Sequence, residues 1–272
     1  MRPRYSFSSR HTSQAKDPKN IRKQRKKYPD LAEKVLESSD IILEVLDARF
    51  PNETRNTKVE KWIKEHDKKL IFVLNKADLA QNIDNPPIPN KKVSCKKRTG
   101  IKSLRDRIKM LASKIKKDDK IIVGVVGYPN TGKSSLINVL IGKNSAKTGS
   151  DAGFTKGIQK LRLTSEISLL DSPGVIPKEE YSSIAQEKLA RHAKVGARSY
   201  SQIRDPEMII TQVIKEFPNL LENYYKINSE GDAEKLLEIF GRKRNILKKG
   251  NEVDVDKTAR LILKDWQEGR LR

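Results

Sequence analysis

The stretch IIVGVVGYPNTGKSSLINVLIG, residues 121–142, decides the fold. Ile121 to Val126 is an apolar run of strand length, SSLINVLIG reads as a helix, and between them lies GYPNTGKS, Gly127 to Ser134. That is the G-x-x-x-x-G-K-[ST] pattern of a phosphate-binding loop, in the strand-to-helix setting it requires. Its glycines let the backbone wrap round phosphates with N–H groups inward. Lys133 reaches the terminal phosphates, the Ser134 hydroxyl holds Mg2+, and the helix N-terminus adds a favourable field. Asn130, Thr131, Gly132, Lys133, Ser134 and Ser135 are the phosphate-side candidates, and the loop alone leaves ATP as possible as GTP.

A second motif supplies the base. NKAD, Asn75 to Asp78, follows the apolar run LIFVL and so stands at a strand end. Asp78 is suited to accept from guanine's ring N–H and exocyclic amine, Asn75 to bond the opposite edge, and the Lys76 stem to cover one face. Further on, SCK, Ser94 to Lys96, has the form of a turn whose backbone amide meets a guanine oxygen, with Cys95 filling a small buried position. DSPG, Asp171 to Gly174, follows ISLL and matches Asp-x-x-Gly: Asp171 reaches Mg2+ through water and the Gly174 amide reports the terminal phosphate. Thr155 in GFTKG is the expected switch threonine on the metal, ahead of Thr148 and Thr164.

Four short apolar runs, Ile41 to Leu46, Leu70 to Leu74, Ile121 to Val126 and Ile167 to Leu170, predict buried strands. The spacing of Ile101, Leu104, Ile108, Leu111 and Ile115 predicts a helix with a basic outer face. Strands alternating with helices predict an α/β fold with a parallel sheet and ligands at the strands' carboxyl ends. Beyond Pro177 the spacing is helical, with Asp205-Pro206 as one helix start. The expected organisation is a basic arm and helix over 1–38, an α/β domain over 39–177 and a helical domain over 178–272.

With 34% charged residues, a net charge of +22 and a single cysteine, Cys95, the chain has no intramolecular disulfide. No apolar run approaches the ~20 residues that span a bilayer, so no membrane partner is expected and the cytoplasm is the expected location. The charge is local. Residues 1–30 hold ten Lys or Arg against Asp17 and Asp30, and residues 91–120 hold thirteen against Asp106, Asp118 and Asp119. From Lys178 onward nineteen bases face sixteen acids. Such clusters fit a polyanion, with RNA preferred, since each neutralised phosphate releases counterions; solvated lysine faces are the plainer alternative.

The order NKAD, SCK, phosphate loop, switch threonine, DSPG resembles the circularly permuted GTPases, specifically the ribosome biogenesis GTPase A and nucleolar GTP-binding protein group. DARFPNETRN, Asp47 to Asn56, is similar to that group's Asp-Ala-Arg-x-Pro segment, and LKKGNEVDVDKTARLILKDWQEGRL to its terminal helical region. The resemblance implies a monomeric GTPase with a circularly permuted P-loop fold and a small helical C-terminal domain. It also implies GTP or GDP with Mg2+ as ligands and a role in large-subunit assembly, with ribosomal RNA and the large-subunit precursor as partners. Because DSPG runs into the helical domain at Pro177, a nucleotide switch is expected to move that domain. Val175 stands where Ras-like enzymes carry a water-orienting Gln, so another group must help. Asn130 matches the Asn of potassium-dependent relatives, making K+ a candidate cofactor. His11 is a weak match to the water-orienting histidine of the bacterial proteins, and His66 and His192 read as structural or exposed. An alternative keeps GTP and RNA but makes the protein an assembly chaperone whose GTP site is regulatory, with negligible unassisted hydrolysis. A signalling GTPase is disfavoured by the basic clusters and the missing Gln.

Overall fold

The computed structural model describes residues 31–80, 83, 85–142, 158–172, 200–203 and 205–271. His11, Thr148, Thr155, Gly174, Val175, Pro177, His192 and the basic arm over 1–30 fall outside those residues, as does the boundary expected at 177. Six strands, β1 (Ile41–Asp47), β2 (Lys69–Asn75), β3 (Asn90–Lys92), β4 (Ile121–Val126), β5 (Gln159–Arg162) and β6 (Ile167–Asp171), form one sheet in the order β3-β2-β1-β4-β6-β5. Every pairing is parallel except β5 with β6. The sequence missed β5, because four mainly polar residues at a sheet edge carry no apolar run; the ladder with β6, Gln159 opposite Asp171, defines it. The expected all-parallel sheet is therefore mixed at this edge.

Alternation along β1 builds the two layers. Ile41, Leu43 and Val45 face α3 (Ile101–Ala112) and α4 (Lys133–Ile141), packing with Leu104, Ile108, Leu136 and Leu140. Ile42 faces the other way, toward residues 31–38 (α1) and α2 (Thr57–Glu65), meeting Val35, Leu36 and Ile63. Glu44 is the exception on that side. It is fully buried, its Oε1 accepts the Asn56 N–H at 2.7 Å at the start of α2, and its Oε2 has no hydrogen-bond partner among the described residues. Burial raises its carboxyl from the ordinary 4.5 to about 8.

After residue 200 the regular elements are helical: α5 (Pro206–Glu216), α6 (Leu220–Tyr225), α7 (Ala233–Lys243) and α8 (Val255–Gln267). Pro206 opens α5; the Asp232 side chain accepts from Glu234 and Lys235 N–H at α7, and Asp254 accepts from Lys257 N–H at α8. Ile210, Val213, Leu236, Phe240, Ile262 and Trp266 form their core, which also takes in Phe50 and Tyr128 from the α/β part. Phe50 packs against Trp266 and Phe217 with ring centroids 5.9 and 6.4 Å apart. The two parts thus share apolar surface. No helix among the described residues is long and apolar enough to cross a membrane.

Two outcomes are expected from this packing. Folded Glu44 keeps its proton up to about pH 8 while unfolded Glu44 releases it near 4.5, so the folded state binds the extra proton between those values and stability falls as pH rises through them. Glu44→Gln cannot ionise, so its stability relative to wild type should grow from pH 5 to pH 8 in denaturant titrations and then level off. A difference constant over that range would mean that Glu44 does not titrate there. Phe50→Ala should cost about 3–5 kcal/mol and split urea unfolding into two transitions; a single transition with a loss below about 1 kcal/mol would place the joint elsewhere.

Candidate functional site

The carboxyl ends of β1, β2, β4 and β6 converge on the loops that carry the motifs. The phosphate loop leaves β4 at Gly127, whose φ of +143° and close approach to the Val45 carbonyl leave no room for a Cβ. Asn130 follows in the left-handed region at φ +59°, then Gly132 at φ +95°, pressed against the Asn75 amide, and α4 begins at Lys133. Lys133 is buried, and its Nζ donates to the Gly127 and Tyr128 carbonyls at 3.1 and 2.7 Å. Burial lowers its ammonium to about 8, with the Asp171 charge pulling the other way. An anion over the loop would restore the proton's preference. Thr131 turns its hydroxyl inward to the Tyr128 carbonyl at 2.9 Å, so its side chain shapes the turn.

Asp171 at the end of β6 lies beside this loop, and the Ser134 hydroxyl donates to its Oδ2 at 2.9 Å. A hydroxyl and a buried carboxylate converging next to a lysine is the hard-oxygen donor set that Mg2+ takes when phosphates and water fill the remaining positions. No group of three or more His, Cys, Asp or Glu that could hold a metal on its own occurs among the described residues. Thr164 lies at the opposite end of β6, where its hydroxyl accepts from the Glu166 and Ile167 N–H groups at the β5–β6 turn. That position removes it as a switch residue.

The base side is organised around Asp78. Ser94 Oγ donates to Asp78 Oδ1 at 2.7 Å and itself accepts from Lys97 N–H at 3.0 Å. Asp78 Oδ2 is buried with no hydrogen-bond partner among the described residues, and Asp78 lines a pocket of about 510 Å3. Lys76, Cys95, Lys96, Asn130, Gly132 and Ser135 share that wall. A carboxylate held at one oxygen, with the other unpartnered beside a pocket, is matched to a ligand edge carrying N–H donors. Asn75 lines the same pocket and also ties the two loops together: one Nδ2 hydrogen donates to the Thr131 carbonyl at 2.9 Å and Oδ1 accepts from Cys95 N–H at 3.4 Å, while the second Nδ2 hydrogen is used by neither bond. It braces the base loop against the phosphate loop. Burial pushes the Cys95 thiol up to about 12, which disfavours the thiolate. His66 stacks on Trp62 at 3.9 Å, away from these loops on α2.

Sequence reasoning gave no role to the residues that join this site to the helices. Asp47, buried at the end of β1, accepts from Arg49 Nη2 and Lys76 Nζ, both at 2.8 Å, and from Arg49 Nε at 3.0 Å. Burial alone would raise its carboxyl, but Lys76 and Arg49 outweigh it and hold it well below the usual carboxylate range. Arg49 also donates to the Trp266 carbonyl at 3.0 Å, with its guanidinium 5.3 Å from the Phe50 ring centroid and 5.9 Å from that of Trp266. Tyr200, Gln267 and Glu268, at the end of α8 and beside it, line the same pocket as Asp78. The DARFP segment was the available signal, but its partners lie over 200 residues away.

Known proteins agree with this geometry. Residues 122–239 match the 50S ribosome-binding GTPase family. The chain is 42% identical over 260 residues to an uncharacterized GTP-binding protein of Methanocaldococcus jannaschii, covering 90% of this chain and 67% of that one. It is 37% identical over 251 residues to nucleolar GTP-binding protein 2 of Neurospora crassa, covering 88% of this chain and 40% of that one. The chain therefore spans about two fifths to two thirds of these relatives' lengths. The GNP-bound crystal structure of YlqF from T. maritima shares the fold, with a TM-score of 0.60 at 24% identity over 89% of this chain and 94% of that one. With its base-reading motif ahead of its phosphate loop on this sheet, and with these relatives, the chain belongs to the circularly permuted GTPases, in the group of ribosome biogenesis GTPase A and the nucleolar GTP-binding proteins.

Proposed function

We propose that the protein binds GTP with Mg2+, hydrolyses it to GDP and phosphate, and acts as a nucleotide-gated factor in assembly of the large ribosomal subunit, in contact with ribosomal RNA. Asp78 carries the reading of the base: it lines the pocket with one buried carboxylate oxygen unpartnered among the described residues while Ser94 fixes the other. Adenine has no pair of donors to meet it, and a buried acceptor left unpaired costs about 1–3 kcal/mol. The family match and the names of the nucleolar relatives support the ribosomal setting.

The loop residues have separable tasks. Backbone N–H groups from Asn130 to Ser135 hold the phosphates, and Lys133, already turned onto the loop, places its ammonium beside them. Ser134 and Asp171 would hold Mg2+, which when bound neutralises charge on the phosphate oxygens. Asn130, at φ +59° on the pocket wall, would carry its side-chain oxygen toward a second, monovalent cation, the role expected for potassium. Thr155 and Gly174 would answer to the terminal phosphate, and His11 would help position the attacking water. Water adds to the terminal phosphorus and passes its proton to an oxygen of that phosphate, the bridging bond to GDP breaks, and the leaving oxygen's charge is met by the loop N–H groups and Lys133.

Lys76 both covers the base and is held by Asp47, whose other partner, Arg49, is bonded to α8. In this reading, occupancy of the base pocket and the seating of α8 favour one another.

Asp78→Asn provides the test. Asparagine offers one acceptor and one donor, so it loses guanine's paired donors and gains a partner for the extra carbonyl of xanthine. GDP affinity should fall at least about 100-fold and xanthosine diphosphate should bind better than GDP. Co-sedimentation with large-subunit precursors should then respond to xanthosine triphosphate in place of GTP. Retained GDP affinity would remove Asp78 from the base, and a normal nucleotide switch without co-sedimentation would remove the ribosomal assignment.

A further inference from the structure

The thirteen basic residues of the 91–120 segment differ from those of the helices in what they face. Only Lys117 forms an ion pair among the described residues, with Asp40 at 3.0 Å. Lys91 donates to the Ser103 hydroxyl at 3.0 Å, Arg105 to the Leu140 carbonyl, and Arg107 reaches the Met110 sulfur at 3.8 Å. Lys92, Lys96, Lys97, Arg98, Lys102 and Lys109 are exposed. In the helical region, by contrast, five cations have an anion beside them, among them Lys235 with Glu230 at 3.1 Å, Arg242 with Glu238 at 2.6 Å, Lys257 with Asp254 at 3.2 Å and Arg260 with Asp256 at 2.7 Å. Lysines serving only to keep a helix in water have no need to be gathered apart from acids on one face. Gathered so, they concentrate a positive field and hold counterions that a polyanion would release.

The face also has shape. β3 and α3 border an open groove of about 780 Å3 lined by Lys91, Arg98, Lys102, Ser103 and Arg107, with Asp106 its one acid. The twelve residues of α3 run about 18 Å, long enough for a stretch of backbone rather than one phosphate. Arg98 and Arg107 add planar guanidinium forks, which suit phosphate and stack on bases. The same turn serves both sites: between Ser94 and its bridge partner Thr99, Lys96 lines the nucleotide pocket and Arg98 the groove.

We propose that the β3–α3 face is an RNA-docking surface, with the strand backbone lying along the groove against the outer side of the base-reading turn. The assignment rests on the reading of the protein as an RNA-contacting assembly factor and adds where the contact is made.

Two triple variants of equal charge change separate a local surface from net charge: Lys102→Glu with Arg107→Glu and Lys109→Glu, and Lys235→Glu with Arg242→Glu and Lys257→Glu. The probe is a short fluorescein-labelled single-stranded RNA of mixed sequence, titrated by anisotropy across a salt series, with GDP affinity as the check on folding. The α3 set should bind RNA at least about 10-fold more weakly and lower the slope of log affinity against log salt by about 2, for three lost phosphate contacts. The helical-region set should keep the wild-type slope, and GDP affinity should be unchanged in both. Equal weakening by both sets would reduce the effect to net charge and overturn the proposal. Unchanged binding by the α3 set would overturn it while leaving the RNA-contacting reading intact, and no binding by wild type would remove that reading as well. Displacement of the RNA by poly-glutamate at equal charge concentration would make the face a site for acidic protein instead.

Discussion

The buried carboxylate of Asp47 is the point at which this molecule is joined. It closes the central strand, takes two cations, and each leads somewhere different: Lys76 to the NKAD loop, Arg49 to the last helix. A charge buried in this way is tolerable only while its partners stay, and removing one partner of a buried pair typically costs about 3–5 kcal/mol. Arg49 in turn is enclosed by Phe50 and Trp266, so the ionic joint sits inside the apolar one. Neither loop nor helix can shift far without disturbing the same oxygen atoms.

A parallel sheet explains why the joint lies where it does. The strands present their carboxyl ends on one side, so Asp47, Asn75, Gly127 and Asp171 emerge together although the sequence spreads them over more than a hundred residues. Asn75 then ties the NKAD loop to the phosphate loop and Ser94 steadies Asp78, whose second oxygen has no partner among the described residues. Permutation adds the consequence that the helices follow β6 in sequence, and their far end, at Gln267 and Glu268, returns to that pocket. The helical region is thus fastened to the nucleotide site at its end as well as placed after it in sequence.

Much of this was legible in one dimension. The four apolar runs became β1, β2, β4 and β6, and the motifs stood at their ends, because a buried parallel strand and a phosphate loop are both written in contiguous residues. What was not legible depends on pairs remote in sequence or on weak local signal. The polar strand β5 exists only through its ladder with β6. The bond from Asn75 to the Thr131 carbonyl joins residues 56 apart in sequence, which spacing does not announce. Arg49 and Trp266 are 217 residues apart, and Tyr200 and Gln267 join the pocket wall only after the helices pack.

The joint at Asp47 is open to one direct measurement, amide hydrogen exchange along α8 with and without saturating GDP, in wild type and in Asp47→Asn. Exchange around Trp266 to Glu268 is predicted to slow when GDP binds wild type, and that protection is predicted to disappear in the variant even with GDP bound. Equal protection in both proteins, or none in either, would contradict the account.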